Sequence, residues 1–210
     1  MIVCATPRSG ATKFASDKAK ELNIEYYDEV RPGTTKVFRQ SFNNVKWFTG
    51  GKGQYHELPY TNHLDMEKFY EVSKDPGNPN YIILANGTNS HWLFDKADWF
   101  VARRNLYDWM CSVCNFWLLN RQGNMGVQLM QTYLAFMFEN AYVLYDYCTR
   151  TNKKIEWYED MPYARRTPYV WLNKHPEYKE IIRTMDSFIQ YTKILDVNKE
   201  LTYDRGFKEI

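Results

Sequence analysis

The sequence predicts an α/β fold: a central parallel β-sheet flanked by helices, in a single domain spanning 1–210. Three observations predict it. The runs "MIVCAT" (1–6), "YIILA" (81–85) and "WFVAR" (99–103) are almost continuously apolar, as strands covered on both faces read. Helix-like segments stand between several of these runs, the alternation that builds parallel sheets. A chain of 210 residues suits one domain with a sizeable core, and no repeat or linker divides it.

In chain order, the first strand (1–6) leads into a helix over 10–22 and a second strand, "IEYY" (24–27). The region 31–80 carries "RPGTTK", "TGGKGQ" and "KDPGNPN", which is turn chemistry. A long irregular excursion is expected there, with one helix near 65–74. Strands follow at 81–85 and 99–103, then helices over 106–120 and 127–150, a strand "KIEWY" (154–158) and a helix over 177–194. The stretch 126–148 is long and apolar but contains Gln128, Gln131, Glu139, Asn140 and Asp146. Those groups are costly in hydrocarbon, so it reads as a helix inside a folded domain with no membrane span.

Composition narrows the function classes. With 27 basic and 25 acidic residues the formal net charge is +2, which argues against a general nucleic-acid or membrane-surface binder. Aromatic residues make up 17% of the chain, enough to fill a core and line a pocket. Cys111 and Cys114 form a CxxC pair with no second half to complete a zinc site, so they read as packing and no metal is expected. Cys4 and Cys148 complete the set. With no signal peptide ahead of the first strand, reduced thiols in the cytoplasm are expected.

The chemistry begins at "TPRSGAT" (6–12). A loop that leaves a strand and opens a helix aims several N–H groups in one direction, and the helix dipole adds partial positive charge. Gly10 lets the backbone approach an anion closely. Ser9 and Thr12 add hydroxyls, and Arg8 adds a fixed cationic fork. The nucleoside-triphosphate pattern GxxxxGK(S/T) is absent: Ala5 stands where its first glycine belongs, and Ala11 follows Gly10.

"TPRSGAT" resembles the 5′-phosphosulfate loop of sulfotransferases. Two further segments are similar to that family in the same order. "RRNLYDWMCSV" (103–113) resembles its 3′-phosphate motif: Arg104 and Ser112 stand 8 positions apart, with Asn105 and Asp108 between them. "IEWYEDMP" (155–162) resembles its late Tyr-Glu-Asp stretch at Tyr158, Glu159 and Asp160. The resemblance implies a P-loop-like sulfotransferase fold and the donor 3′-phosphoadenosine 5′-phosphosulfate (PAPS), leaving adenosine 3′,5′-bisphosphate (PAP). It assigns Arg8, Ser9, Gly10, Ala11 and Thr12 to the 5′ group, Arg104 and Ser112 to the 3′-phosphate, and Tyr158 to the adenine. It also implies that Arg8 stabilises charge on the leaving oxygen.

The base is less uniform within the family. Many members place a histidine at the end of the central strand; in "ILANGTNSH" Asn86 stands there and His91 follows 5 positions on. The tyrosylprotein branch instead uses a glutamate after the second strand. "DEVR" (28–31) resembles that stretch, with Glu29 standing 21 positions after Arg8. Glu29 is therefore the expected base, with His91, His56 and Asp28 as alternatives. Arg205-Gly206 is a partial echo of the family's late donor loop. The expected acceptor is a hydroxyl, of a phenol, sugar or peptide tyrosine, or an amine. Two other readings stand beside transfer: a PAP- or PAPS-binding module without activity, and a small kinase-like nucleotide-binding transferase.

Overall fold

Four short strands run parallel in the order β3-β2-β4-β1: β1 (Ile2–Ala5), β2 (Glu25–Glu29), β3 (Tyr55–Leu58) and β4 (Tyr81–Asn86). The computed structural model describes residues 1–29, 55–58, 81–86, 91–120, 126–166 and 179–205. The chain is of the α/β class and divides into two compact units. The first contains Met1–Ala5 and Gly10–Trp99; the second contains Thr6–Ser9 and Phe100–Ile210.

In the first unit, β1 is buried along its whole length, as its unbroken apolar run predicts. It pairs with β4 from Ile2↔Ile83 to Ala5↔Asn86. Helix α1 (Ala11–Leu22) packs on β1, β2 and β4. Its buried positions, Ala11, Ala15, Ser16 and Ala19, are all small and recur at helical spacing, so the helix can lie close to the sheet. The expected excursion over 31–80 needs one correction: it contains a strand, β3, paired from Tyr26↔Tyr55 to Glu29↔Leu58. The helix expected near 65–74 lies outside the described residues. A short 3-10 helix (His91–Lys96) follows β4.

In the second unit, β5 (Trp99–Ala102) pairs in parallel with β6 (Ile155–Trp157) through Phe100↔Ile155, Val101↔Glu156 and Ala102↔Trp157. Three helices, α2 (Leu106–Asn120), α3 (Val127–Thr151) and α4 (Lys179–Ile194), pack on one another. The buried side chains of α3 (Met130, Leu134, Met137, Ala141, Leu144 and Cys148) recur every three or four residues, so one stripe meets the core. Phe138 stacks on Phe188 of α4 with ring centroids 4.4 Å apart. No helix among the described residues is long and apolar enough to cross a membrane.

Three of the helices stop by the same device. Asn23, Asn152 and Asp196 have positive φ values of 55°, 52° and 46°. The following N–H groups then turn back: Ile24 to Ala19 O at 2.9 Å, Lys153 to Cys148 O at 2.9 Å and Val197 to Thr192 O at 3.4 Å. Asparagine and aspartate tolerate this left-handed conformation better than other residues with a Cβ.

Candidate functional site

The candidate site of the second unit is built on two turns and the start of a short 3-10 helix, Tyr158–Asp160, that follows β6. The first turn is Thr6–Ser9. Its start is tied to β5, because the Thr6 N–H donates to Val101 O at 3.0 Å. The next three carbonyls are each taken by a side chain. Ser9 Oγ donates to Thr6 O at 2.7 Å, Trp109 Nε1 to Pro7 O at 2.7 Å, and Arg103 Nε to Arg8 O at 3.0 Å. Arg8 has φ 61°, a left-handed conformation that costs a residue with a Cβ about 1–2 kcal/mol. Its guanidinium lies 4.6 Å from the Phe116 ring centroid. The Ser9 hydroxyl, assigned by resemblance to the anion, is engaged within its own turn. Thr6 Oγ1 is buried with no hydrogen-bond partner.

The chain then enters the first unit. Gly10 caps α1 with φ 76° and ψ 10°, which glycine adopts without strain. It offers no side-chain cap, and the first turn of α1 has no acidic residue. The first intrahelical bond is Phe14 N–H to Gly10 O at 3.1 Å. The leading N–H groups of α1, at Ala11 and Thr12, thus have no acceptor within the helix.

The second turn, Arg103–Asn105, joins β5 to α2. Glu159 holds its backbone: one carboxylate oxygen accepts from Arg104 N–H at 2.7 Å and the other from Asn105 N–H at 3.0 Å. Asp160 holds the Arg104 side chain with two bonds, 3.1 and 2.6 Å. Asn105 caps α2, its Oδ1 accepting from Asp108 N–H at 3.2 Å. Its Nδ2 donates to Asp204 O at 2.9 Å, and Thr202 exchanges backbone bonds with Arg104 and Leu106. A C-terminal strap is thereby stitched to the turn. Arg205, noted for its echo of a late loop, instead bonds Tyr107 Oη at 3.2 Å and pairs with Asp186 of α4.

Arg103 joins these parts. It is buried, and its Nη1 donates to Asp108 O at 3.2 Å. Its guanidinium lies 4.1 Å from the Tyr158 ring centroid. Its own carbonyl accepts the Tyr145 hydroxyl at 2.9 Å. The Tyr158 ring is therefore fixed: Arg103 covers one face, Tyr163 meets it edge-on at 6.2 Å, and its hydroxyl accepts Arg165 N–H at 3.0 Å. Burial pushes the Arg103 pKa down, against the pull of Tyr158, Glu159 and Asp108. Burial pushes the Asp108 carboxyl up, helped by Glu159 and Asp204 and opposed by Arg103 and Arg166.

The remaining sequence-predicted residues lie as follows. Ser112 is buried on α2. Glu29 ends β2 opposite Leu58, and Asp28 precedes it opposite Glu57. His56 pairs with Tyr27. Asn86 ends β4, and His91 is exposed at the start of the 3-10 helix that follows. Among the described residues no group of three or more His, Cys, Asp or Glu side chains is placed to hold a metal ion. The structure thus brings together Arg8, Ser9, Arg104 and Tyr158 through Arg103. Arg103, Trp109 and Glu159 were not assigned roles from the sequence. The paired arginines at the end of an apolar strand, one needing a buried partner, were the available signal for Arg103.

Neither a family model, nor a curated protein, nor a solved structure matches this chain.

Proposed function

We propose that this protein is a sulfotransferase with a P-loop-like fold that moves a sulfuryl group from PAPS to a hydroxyl acceptor, leaving PAP. One observation carries the proposal. The three segments that resemble the family meet around a single buried arginine: Arg103 bonds the Thr6–Ser9 turn, adjoins Arg104 and lies on Tyr158. Partners 95 and 55 positions apart in sequence gather there, and they are the residue types the donor's two phosphates and base call for.

In this reading the Arg8 guanidinium and the Arg8 and Ser9 N–H groups take the 5′-phosphosulfate. Oriented donors and a cation stabilise the charge that develops on the leaving oxygen, so no metal is needed. Arg104 grips the 3′-phosphate with Ser112, and Tyr158 presents its ring to the adenine. The phosphate must share or displace the Arg104–Asp160 pair, whose side chains are 27% and 60% exposed; such an exposed pair is worth at most about 1 kcal/mol. A charge-assisted bond to phosphate outweighs that. Glu29 takes the acceptor's proton, with His91 next in line. A cytoplasmic setting belongs to the same proposal.

The second reading, a PAP- or PAPS-binding module, is favoured by one feature: Asn86, which cannot act as a base, ends β4. A transfer assay with sulfur-labelled PAPS and pooled phenol, sugar and peptide-tyrosine acceptors separates the two. Label passing to an acceptor, and lost in Glu29→Gln, supports the transferase. PAP binding without transfer to any acceptor supports the module.

A further inference from the structure

The three carbonyls of the Thr6–Ser9 turn are satisfied by donors outside the loop's backbone, and this fixes which way its N–H groups face. A trans peptide is planar, so the N–H of each residue points opposite to the carbonyl before it. Trp109 Nε1 draws in the Pro7 carbonyl at 2.7 Å, which turns the Arg8 N–H away from Trp109. Arg103 Nε draws in the Arg8 carbonyl at 3.0 Å, which turns the Ser9 N–H away from Arg103. Arg8 is left-handed (φ 61°), and a left-handed residue in a turn is one way a chain sets successive N–H groups in the concave arrangement that suits an anion. A conformation of that kind persists only where its surroundings hold it, and both holding side chains are buried.

We infer that Arg103 and Trp109 are positioning residues for the 5′ anion: by holding the Arg8 and Pro7 carbonyls they aim the Ser9 and Arg8 N–H groups at a phosphate or phosphosulfate. The inference rests on the sulfotransferase reading and extends it to two residues that touch neither substrate. It also explains why a buried arginine and a buried indole spend their donors on loop carbonyls.

The test is calorimetry on Trp109→Phe and Arg103→Lys with adenosine 5′-phosphate, adenosine 3′-phosphate and adenosine 3′,5′-bisphosphate. Phenylalanine keeps an aromatic ring and loses the N–H; lysine keeps the charge and loses the fork. Trp109→Phe should bind the two 5′-phosphorylated ligands about tenfold more weakly, the worth of one misdirected hydrogen bond, and adenosine 3′-phosphate within about twofold of wild type; Arg103→Lys, which also uncovers the Tyr158 ring, should lose more affinity for the 5′-phosphorylated ligands than for adenosine 3′-phosphate. Equal losses for all three ligands, or none, overturn the inference, because a merely structural role has no preference for the 5′ group. Should a variant not fold, wild-type protein carries the test: adenosine 5′-phosphate should shift the Arg8 and Ser9 amide resonances and adenosine 3′-phosphate should not. Unmoved amides overturn it equally. A wild-type protein that binds none of the three nucleotides sinks the sulfotransferase reading itself, a result distinct from binding without the expected selectivity.

Discussion

In the Thr6–Ser9 turn the carbonyl oxygens of Thr6, Pro7 and Arg8 are each held by a side-chain donor. In the Arg104–Asn105 turn the N–H groups are the ones held, by the two oxygens of Glu159. Both turns lie in one unit, and both are joined to Arg103. In the first, holding the carbonyls turns the Arg8 and Ser9 N–H groups away from the side chains that hold them. The second already has its backbone anion, a carboxylate of the chain itself, and its Arg104 side chain is paired with the exposed Asp160. The difference teaches that one short turn can have its carbonyls held and another its N–H groups; under the proposed function, the 5′-phosphosulfate would be read mainly by main chain and the 3′-phosphate by a side chain. On the proposed function, substituting Arg104 should damage the 3′ end directly, while the 5′ end should fail through Arg8 itself and through the residues that aim its backbone.

The largest expected effect lies outside both turns. Glu29→Gln should lower turnover about 100- to 10,000-fold, the range for losing a general base, while leaving PAP affinity unchanged. Near-full turnover on a verified acceptor would make Glu29 an ordinary carboxylate and move the role to His91. Next, Arg104→Ala should weaken PAP by about 2–3 kcal/mol and adenosine 5′-phosphate far less. Equal losses would erase the distinction between the turns.

Smaller effects sharpen the comparison from the protein side. Glu159→Gln replaces a charged double acceptor by an amide with one acceptor oxygen, leaving one N–H of the turn poorly served. Urea denaturation should show a loss of about 1–2 kcal/mol. An unchanged midpoint would mean water serves the turn equally well. The smallest effect concerns Asp108 in the first turn of α2, where α1 has no acidic residue. Its raised pKa means the folded state holds the proton more tightly than the unfolded state. Stability is then lost as pH rises from the ordinary aspartate range through the folded value. Asp108→Asn carries no such loss, so its stability relative to wild type should increase as pH rises above the ordinary aspartate range. A pH-independent difference would show that the carboxyl is well accommodated.

Much of the fold was legible because the signals are local. The run 106–120 forms α2 over Leu106–Asn120, and the apolar runs near 1–6, 81–85 and 99–103 form β1, β4 and β5. β3 was not legible: "YHEL" is short and mostly polar, and its strand identity comes from pairing with β2, a long-range contact. The site divides along the same line. Arg8, Arg104 and Tyr158 stand in spaced motifs. Arg103, Trp109 and Glu159 act on backbone carbonyls and N–H groups distant in sequence, and no spacing rule encodes those partners.

The most direct measurement is a calorimetric titration of wild-type protein with PAP, each adenosine monophosphate and ATP. If one nucleotide spans a main-chain and a side-chain phosphate site, PAP should bind at least about tenfold more tightly than either monophosphate and more tightly than ATP. ATP binding as tightly as PAP, or a 3′-phosphate that adds nothing to the affinity of adenosine 5′-phosphate, would contradict it.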